Sequence, residues 1–241
     1  MDVVKVILDL NESITRRFEV DYLLFDTLFM AVWIILVLRS KRRGPFFVGL
    51  ICGLAFYVID GIIWTATGVR EYELPAAWLK FPVDFMMDIS YGIVGFGWAW
   101  IAFERKSAWD VLMWTALLFG GWLIVPFASK WIPLIDKQVT TVRHMASRVW
   151  LHIAVVVMGY AGLLVFGFSF KRALYVFGIG CMLAFMMEFS LLIAGIRTFN
   201  LRLLAYETLI LTNMGIPYLA IIRERILPLC VGKAAVHKVA S

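Results

Sequence analysis

Long apolar runs interrupted by short charged connections dominate this chain. A helix rises about 1.5 Å per residue and needs roughly 20 apolar residues to cross a bilayer core of about 30 Å. On that measure the sequence predicts spans at 22–38, 45–67, 76–103, 108–128, 149–169, 173–195 and 201–222. The expected fold class is therefore an all-α integral membrane protein with seven transmembrane helices. The segment 1–21 reads as an interfacial helix carrying Val3, Val4, Ile7 and Leu8 on its apolar face. It lacks the long apolar core and small-residue cleavage site of a signal peptide. Residues 22–225 form one membrane domain, and 226–241 a tail.

The helices contain a repeat. Cys52-Gly-Leu-Ala-Phe56 is followed by Asp60 and Gly68-Val-Arg70, and Cys181-Met-Leu-Ala-Phe185 by Glu188 and Gly195-Ile-Arg197. A basic pair precedes each, Arg42-Arg43 or Lys171-Arg172. In the next span of each half, an acid stands eight residues before a Gly-Ile pair: Asp84 before Gly92, and Glu207 before Gly215. The pattern predicts a parallel duplication of three helices, about 22–103 and 149–225, joined by a fourth at 108–128, with the two halves facing one another across a cavity.

Composition agrees with a membrane protein: 62% of the 241 residues are hydrophobic and the mean hydropathy is +0.86. A soluble fold is excluded on these figures. The net charge of +6 does not indicate nucleic acid, because the basic residues sit at span ends, where they read as anchors. Arg39–Arg43, Glu104–Lys106, Lys171-Arg172 and Arg223–Arg225 fall on one side, expected to be cytoplasmic, which leaves the N-terminus outside or lumenal and the C-terminus cytoplasmic. Cys52, Cys181 and Cys230 have no metal or disulfide spacing and read as packing residues.

The acids carry the chemistry. Asp26, Asp60, Asp84, Asp88, Glu188 and Glu207 lie in apolar stretches that offer them no cation, so burial is expected to favour their neutral, proton-donating form. Helical rise puts Asp60, Asp84, Glu188 and Glu207 near one depth, with Asp26 and His152 entering from the same side. Two carboxyls in different environments can divide the work of giving and taking a proton. Phe56, Tyr57, Trp64, Tyr91, Phe185 and Tyr206 would supply ring faces to a cation, and Asn213 would border space opened by a kink at Pro217. Asp84 and Asp88 have D-x-x-x-D spacing, but basic residues clustered for a diphosphate are not evident, and neither a metal nor a redox cofactor is expected. A proton-coupled transporter or lipid carrier would use the same acids as a relay, and a lipid hydrolase using two aspartates would need a metal or an activated water beside them.

In length and seven-span layout the whole chain resembles the small integral-membrane terpene cyclases of fungal meroterpenoid pathways. Those enzymes carry one essential acid in a Tyr-containing second span and another in the last. The matching positions are Asp60 in Ala55-Phe-Tyr-Val-Ile-Asp60 and Glu207 in Ala205-Tyr-Glu207, with Asp and Glu exchanged relative to the family. The family's acid-Ser-Tyr-Gly-Ile run stands in the third span, as Asp88-Ile-Ser-Tyr-Gly-Ile93. Residues 60–70 with Phe81-Pro-Val-Asp84 also resemble carotenoid (lycopene) cyclase domains, Phe85 replacing the second acid of their Pro-x-acid-acid motif. Both resemblances imply an isomerase or lyase that protonates a lipid-soluble isoprenoid and closes rings through a carbocation. Asp60 and Glu207 would be proton donor and acceptor, tuned by Asp84, Asp88 and Glu188, while Asp26 would be dispensable.

Overall fold

The computed structural model describes residues 14–104, 106–144, 149–198 and 200–231. It is mostly helical. Six helices are long and apolar enough to cross a membrane: α1 (Asp21–Arg39), α2 (Arg43–Trp64), α3 (Ala77–Glu104), α4 (Ala108–Trp131), α6 (Phe170–Ile193) and α7 (Leu201–Leu229). Between α4 and α6 lies a shorter apolar helix of 17 residues, α5 (Val149–Val165). Helix α7 continues past residue 225, where the membrane domain was expected to end. Of the expected N-terminal helix, residues 1–13 lie outside the described residues, and Ile14–Glu19 is instead a β-strand.

That strand, β1, belongs to a small antiparallel sheet of order β1-β3-β2, completed by β2 (Arg70–Glu73) and β3 (Gln138–Arg143). The registers Arg16↔Thr141 and Arg70↔Arg143, with the two-residue alternation of a strand, put Arg16, Arg70 and Arg143 on one face. Ile14, Phe18 and Val139 share it and are buried, whereas Arg17 and Glu71 on the other face are exposed. Arg17 N–H donates to the Ile196 carbonyl at 2.9 Å, tying the α6–α7 bend to the sheet edge. The sheet thus roofs one end of the helices.

Helices α2 and α3 cross almost backbone to backbone. A Cβ placed on Gly92 would lie 2.2 Å from the Gly53 nitrogen, and one on Gly49 2.7 Å from the Ile93 Cα. Small residues at a membrane helix crossing permit this approach, which brings the Asp60 helix against the one that carries Asp84 and Asp88. Gly92→Ala has no flexible side chain to displace and must move a helix. It is expected to destabilise the chain by about 1–3 kcal/mol, read as a lowered melting transition in detergent.

The charged connections expected on one side do meet at the end opposite the sheet. Arg42 pairs with Asp110 at 2.7 Å and Glu104 at 3.5 Å, and Arg172 with Glu224. Asn213 is fully buried and serves the kinked α7: its amide donates to the Thr208 and Leu209 carbonyls at 3.4 and 3.2 Å, and its Oδ1 accepts from Tyr160 at 2.6 Å. These contacts satisfy carbonyls that the irregular turns before Pro217 leave without a regular helical partner.

Candidate functional site

Beneath the sheet is a layer of acids and arginines. Arg70 follows Gly68, whose φ of +67° is a left-handed turn, and Arg197 follows Gly195, at +68°. The residue between, Val69 or Ile196, is buried and anchors each turn, and both arginines are themselves only 2% exposed. Arg70 Nη1 lies 3.5 Å from Asp60, 3.8 Å from Asp84 and 3.9 Å from Asp88. Arg197 Nη1 pairs with Glu188 and lies 3.1 Å from Glu207. Each half therefore holds its acids around one buried guanidinium.

The other strands complete the layer. Arg143 of β3 donates to Asp60 Oδ2 at 2.8 Å, and Arg16 of β1 to Glu188 Oε1 at 3.3 Å. Asp84 is held by Lys80 at 2.9 Å and by the Tyr72 hydroxyl. Burial pushes the Arg16 pKa down to about 9, with Arg197 adding to the effect and Glu188 opposing it. Burial also works against the charge of Arg143, but Asp60 and Glu207, followed by Asp88 and Glu188, outweigh it and raise its pKa. The Tyr72 hydroxyl is held neutral by burial and by Asp84.

This corrects the expectation that the acids have no cation. Five of the six are ion-paired, and apart from Lys80 in the first turn of α3 their partners arrive from segments outside the spans. Arg16 and Arg143, taken as membrane anchors, are turned inward instead. Basic residues do cluster beside Asp84 and Asp88, contrary to the reading that argued against a diphosphate site. Asp84 has both oxygens engaged, and among the described residues no group of three or more His, Cys, Asp or Glu side chains is placed to hold a metal ion.

A cavity of about 350 Å³ opens below the layer, within the roughly 300–1,000 Å³ of small-molecule sites. Asp26, Asp60, Asp88 and Glu207 line its charged end together with Arg16, Arg70 and Arg143. Phe56, Trp64, Tyr91, Phe96 and Trp122 form its aromatic wall, extended by Met87, Met187 and Met214. Tyr91 is fixed by a 3.0 Å hydrogen bond with Thr212 and packs on Phe56, Phe96 and Trp122. Of the lining residues, Phe56 and Val155 are half-buried and Ile59 is exposed, and Trp64 packs against His152. Asp88 Oδ2 is buried with no hydrogen-bond partner among the described residues.

The remaining expected site residues lie elsewhere. Asp84 and Glu188 stand behind Arg70 and Arg197, away from the cavity wall. Tyr57 packs on Phe81 and Phe85, Phe185 stacks on Phe189 at the exposed surface, and Asn213 serves the helix kink. Tyr206 is buried against His152, hydroxyl to Nδ1 at 2.5 Å, behind the cavity. The four arginines were the residues missed. Their signals were the repeated Gly-x-Arg at Arg70 and Arg197 and the strand-like alternation of Gln138-Val-Thr-Thr-Val-Arg143.

No protein-family model matches this chain, and neither a curated protein nor a solved structure matches it. Its function must be argued from the site.

Proposed function

We propose that this chain is a membrane-embedded isoprenoid cyclase, in which carboxyls at the charged end of the cavity give and take back a proton while aromatic rings shield the cation. The observation that carries this reading is the composition of one cavity, with carboxyls at one end and ring faces and methionines along the rest. Ring faces attract a cation, and an apolar wall excludes the water that would quench it. A lipid-soluble chain enters sideways from the bilayer and presents its reactive group to the acids. Asp60 and Glu207, each beside a guanidinium, suit the role of proton acceptor.

The reading includes seven crossings, α5 being the fifth. At about 1.5 Å per residue, its 17 residues extend about 25 Å, enough with modest local thinning of the bilayer. It also includes the parallel duplication, supported by the matched turns at Gly68 and Gly195 and by an arginine in each half that pairs with acids of the helices before and after it. The density of basic residues at the Arg42 and Arg172 end supports placing that end in the cytoplasm. A transporter would need access from both faces, whereas here the sheet roofs the acid layer.

Product analysis tests the proposal. Membranes containing the chain, supplied with linear epoxy-polyprenyl and polyprenyl substrates, are expected to yield a cyclic isomer of unchanged mass, resolved by chromatography and mass spectrometry. Recovery of only linear substrate across such a panel overturns the reading.

A further inference from the structure

Sorting the acids by their cations leaves one without a partner. Asp60 has Arg143 and Arg70, Asp84 has Lys80 and Arg70, Glu188 has Arg197 and Arg16, Glu207 has Arg197, and Asp88 shares Arg70. No ion pair reaches Asp26 among the described residues. Yet Asp26 is only 4% exposed and lines the cavity directly, between Tyr22 one turn earlier on α1 and Met87, Ser90 and Met187 opposite. Among the described residues its polar neighbour is the Ser90 hydroxyl, which shares the cavity lining with it.

A carboxylate in that setting has lost water without gaining a counter-ion, which is the costliest state open to a buried acid. The neutral acid removes the cost, and the Ser90 hydroxyl beside it leaves the carboxyl group an oxygen to carry the proton. The layer as a whole points the same way: six carboxyls meet five cations, Arg16, Arg70, Lys80, Arg143 and Arg197. One proton balances the remaining charge, and Asp26 is the site where no guanidinium competes for it.

We propose that Asp26 is the catalytic acid of this cavity, the carboxyl that holds the initiating proton, an assignment resting on the cyclase reading for its substrate but not for its protonation. In the step, the Asp26 O–H bond breaks and its electron pair stays on the carboxylate. The proton adds to an epoxide oxygen, whose C–O bond opens, or to an alkene carbon, whose π pair becomes the new C–H bond. Ring closure moves the cation along the chain, and loss of a neighbouring C–H proton to Asp60 or Glu207 ends it as an alkene. The product is an isomer of the substrate, and return of that proton across the cavity to Asp26 closes the cycle.

Two measurements on the full chain in lipid nanodiscs test this. Infrared spectra at neutral pH are expected to show the carbonyl stretch of a protonated carboxyl, with intensity lost in Asp26→Asn and retained in Asp60→Asn. Asn keeps the size of Asp and a partner for Ser90, so an unchanged melting transition separates loss of the proton from loss of fold. Turnover of an epoxy-polyprenyl substrate is expected to fall about a hundredfold or more in Asp26→Asn and to recover in part in Asp26→Glu. Protonated-carboxyl intensity that survives Asp26→Asn, or disappears with Asp88→Asn instead, overturns the assignment, as does wild-type turnover by Asp26→Asn. If the wild-type chain cyclises nothing but Asp26→Asn still loses the infrared intensity, the proton assignment holds and the cyclase reading falls.

Discussion

Asp60→Asn is expected to leave the chain folded and to reduce cyclisation by roughly two orders of magnitude or more, the usual contribution of a positioned acid or base. Asp60 stands where β2, β3 and α2 converge, taking a 2.8 Å bond from Arg143 while keeping part of its surface on the cavity. The amide retains size and an acceptor oxygen for Arg143 but takes up no proton from a cation. Glu207→Gln should behave alike, since Glu207 faces the same cavity from the opposite half with Arg197 behind it. Both are checked by initial rates on an epoxy-polyprenyl substrate, with melting curves to confirm folding. Full activity in either variant removes that residue from the proton path.

Arg197→Met should have the largest effect on stability. Arg197 is 2% exposed and holds Glu188 and Glu207 together, so its removal leaves two buried carboxylates, Glu188 with only Arg16 in contact and Glu207 with Arg143 nearby. Breaking a buried pair from one side costs about 3–5 kcal/mol. A marked fall in the melting transition is expected, together with partial recovery when Glu188→Gln is added, because the second change removes one of the stranded charges. An undisturbed melt would show that Arg197 is not the counter-ion of this pair.

The helices were legible because hydrophobic run length is a direct physical requirement of the bilayer, and Asp60, Asp88 and Glu207 stood out because an acid in such a run is costly. The sheet was not legible. Its strands are four to six residues long, come from three distant parts of the chain, and carry charge on the face that becomes buried. An arginine in a connection reads as solvated until the register of its strand is known, and register depends on partners more than a hundred residues away, as with Arg16 and Thr141. Tyr206 and Asn213 show the converse failure. Polar residues in the last span read as cavity-facing, whereas one supports His152 and the other satisfies carbonyls released by an irregular helix.

The sheet also fixes an order of assembly. Asp60, Asp84 and Asp88 leave the ribosome well before Arg143, and β3 must be made before β1 and β2 have a strand to join. During that interval Arg70 and Lys80 are the cations beside Asp60, Asp84 and Asp88, and the N-terminal strand waits unpaired. Charge balance around Asp60 is thus a late event in biosynthesis, reached when the middle of the chain closes over what its beginning has already placed in the membrane.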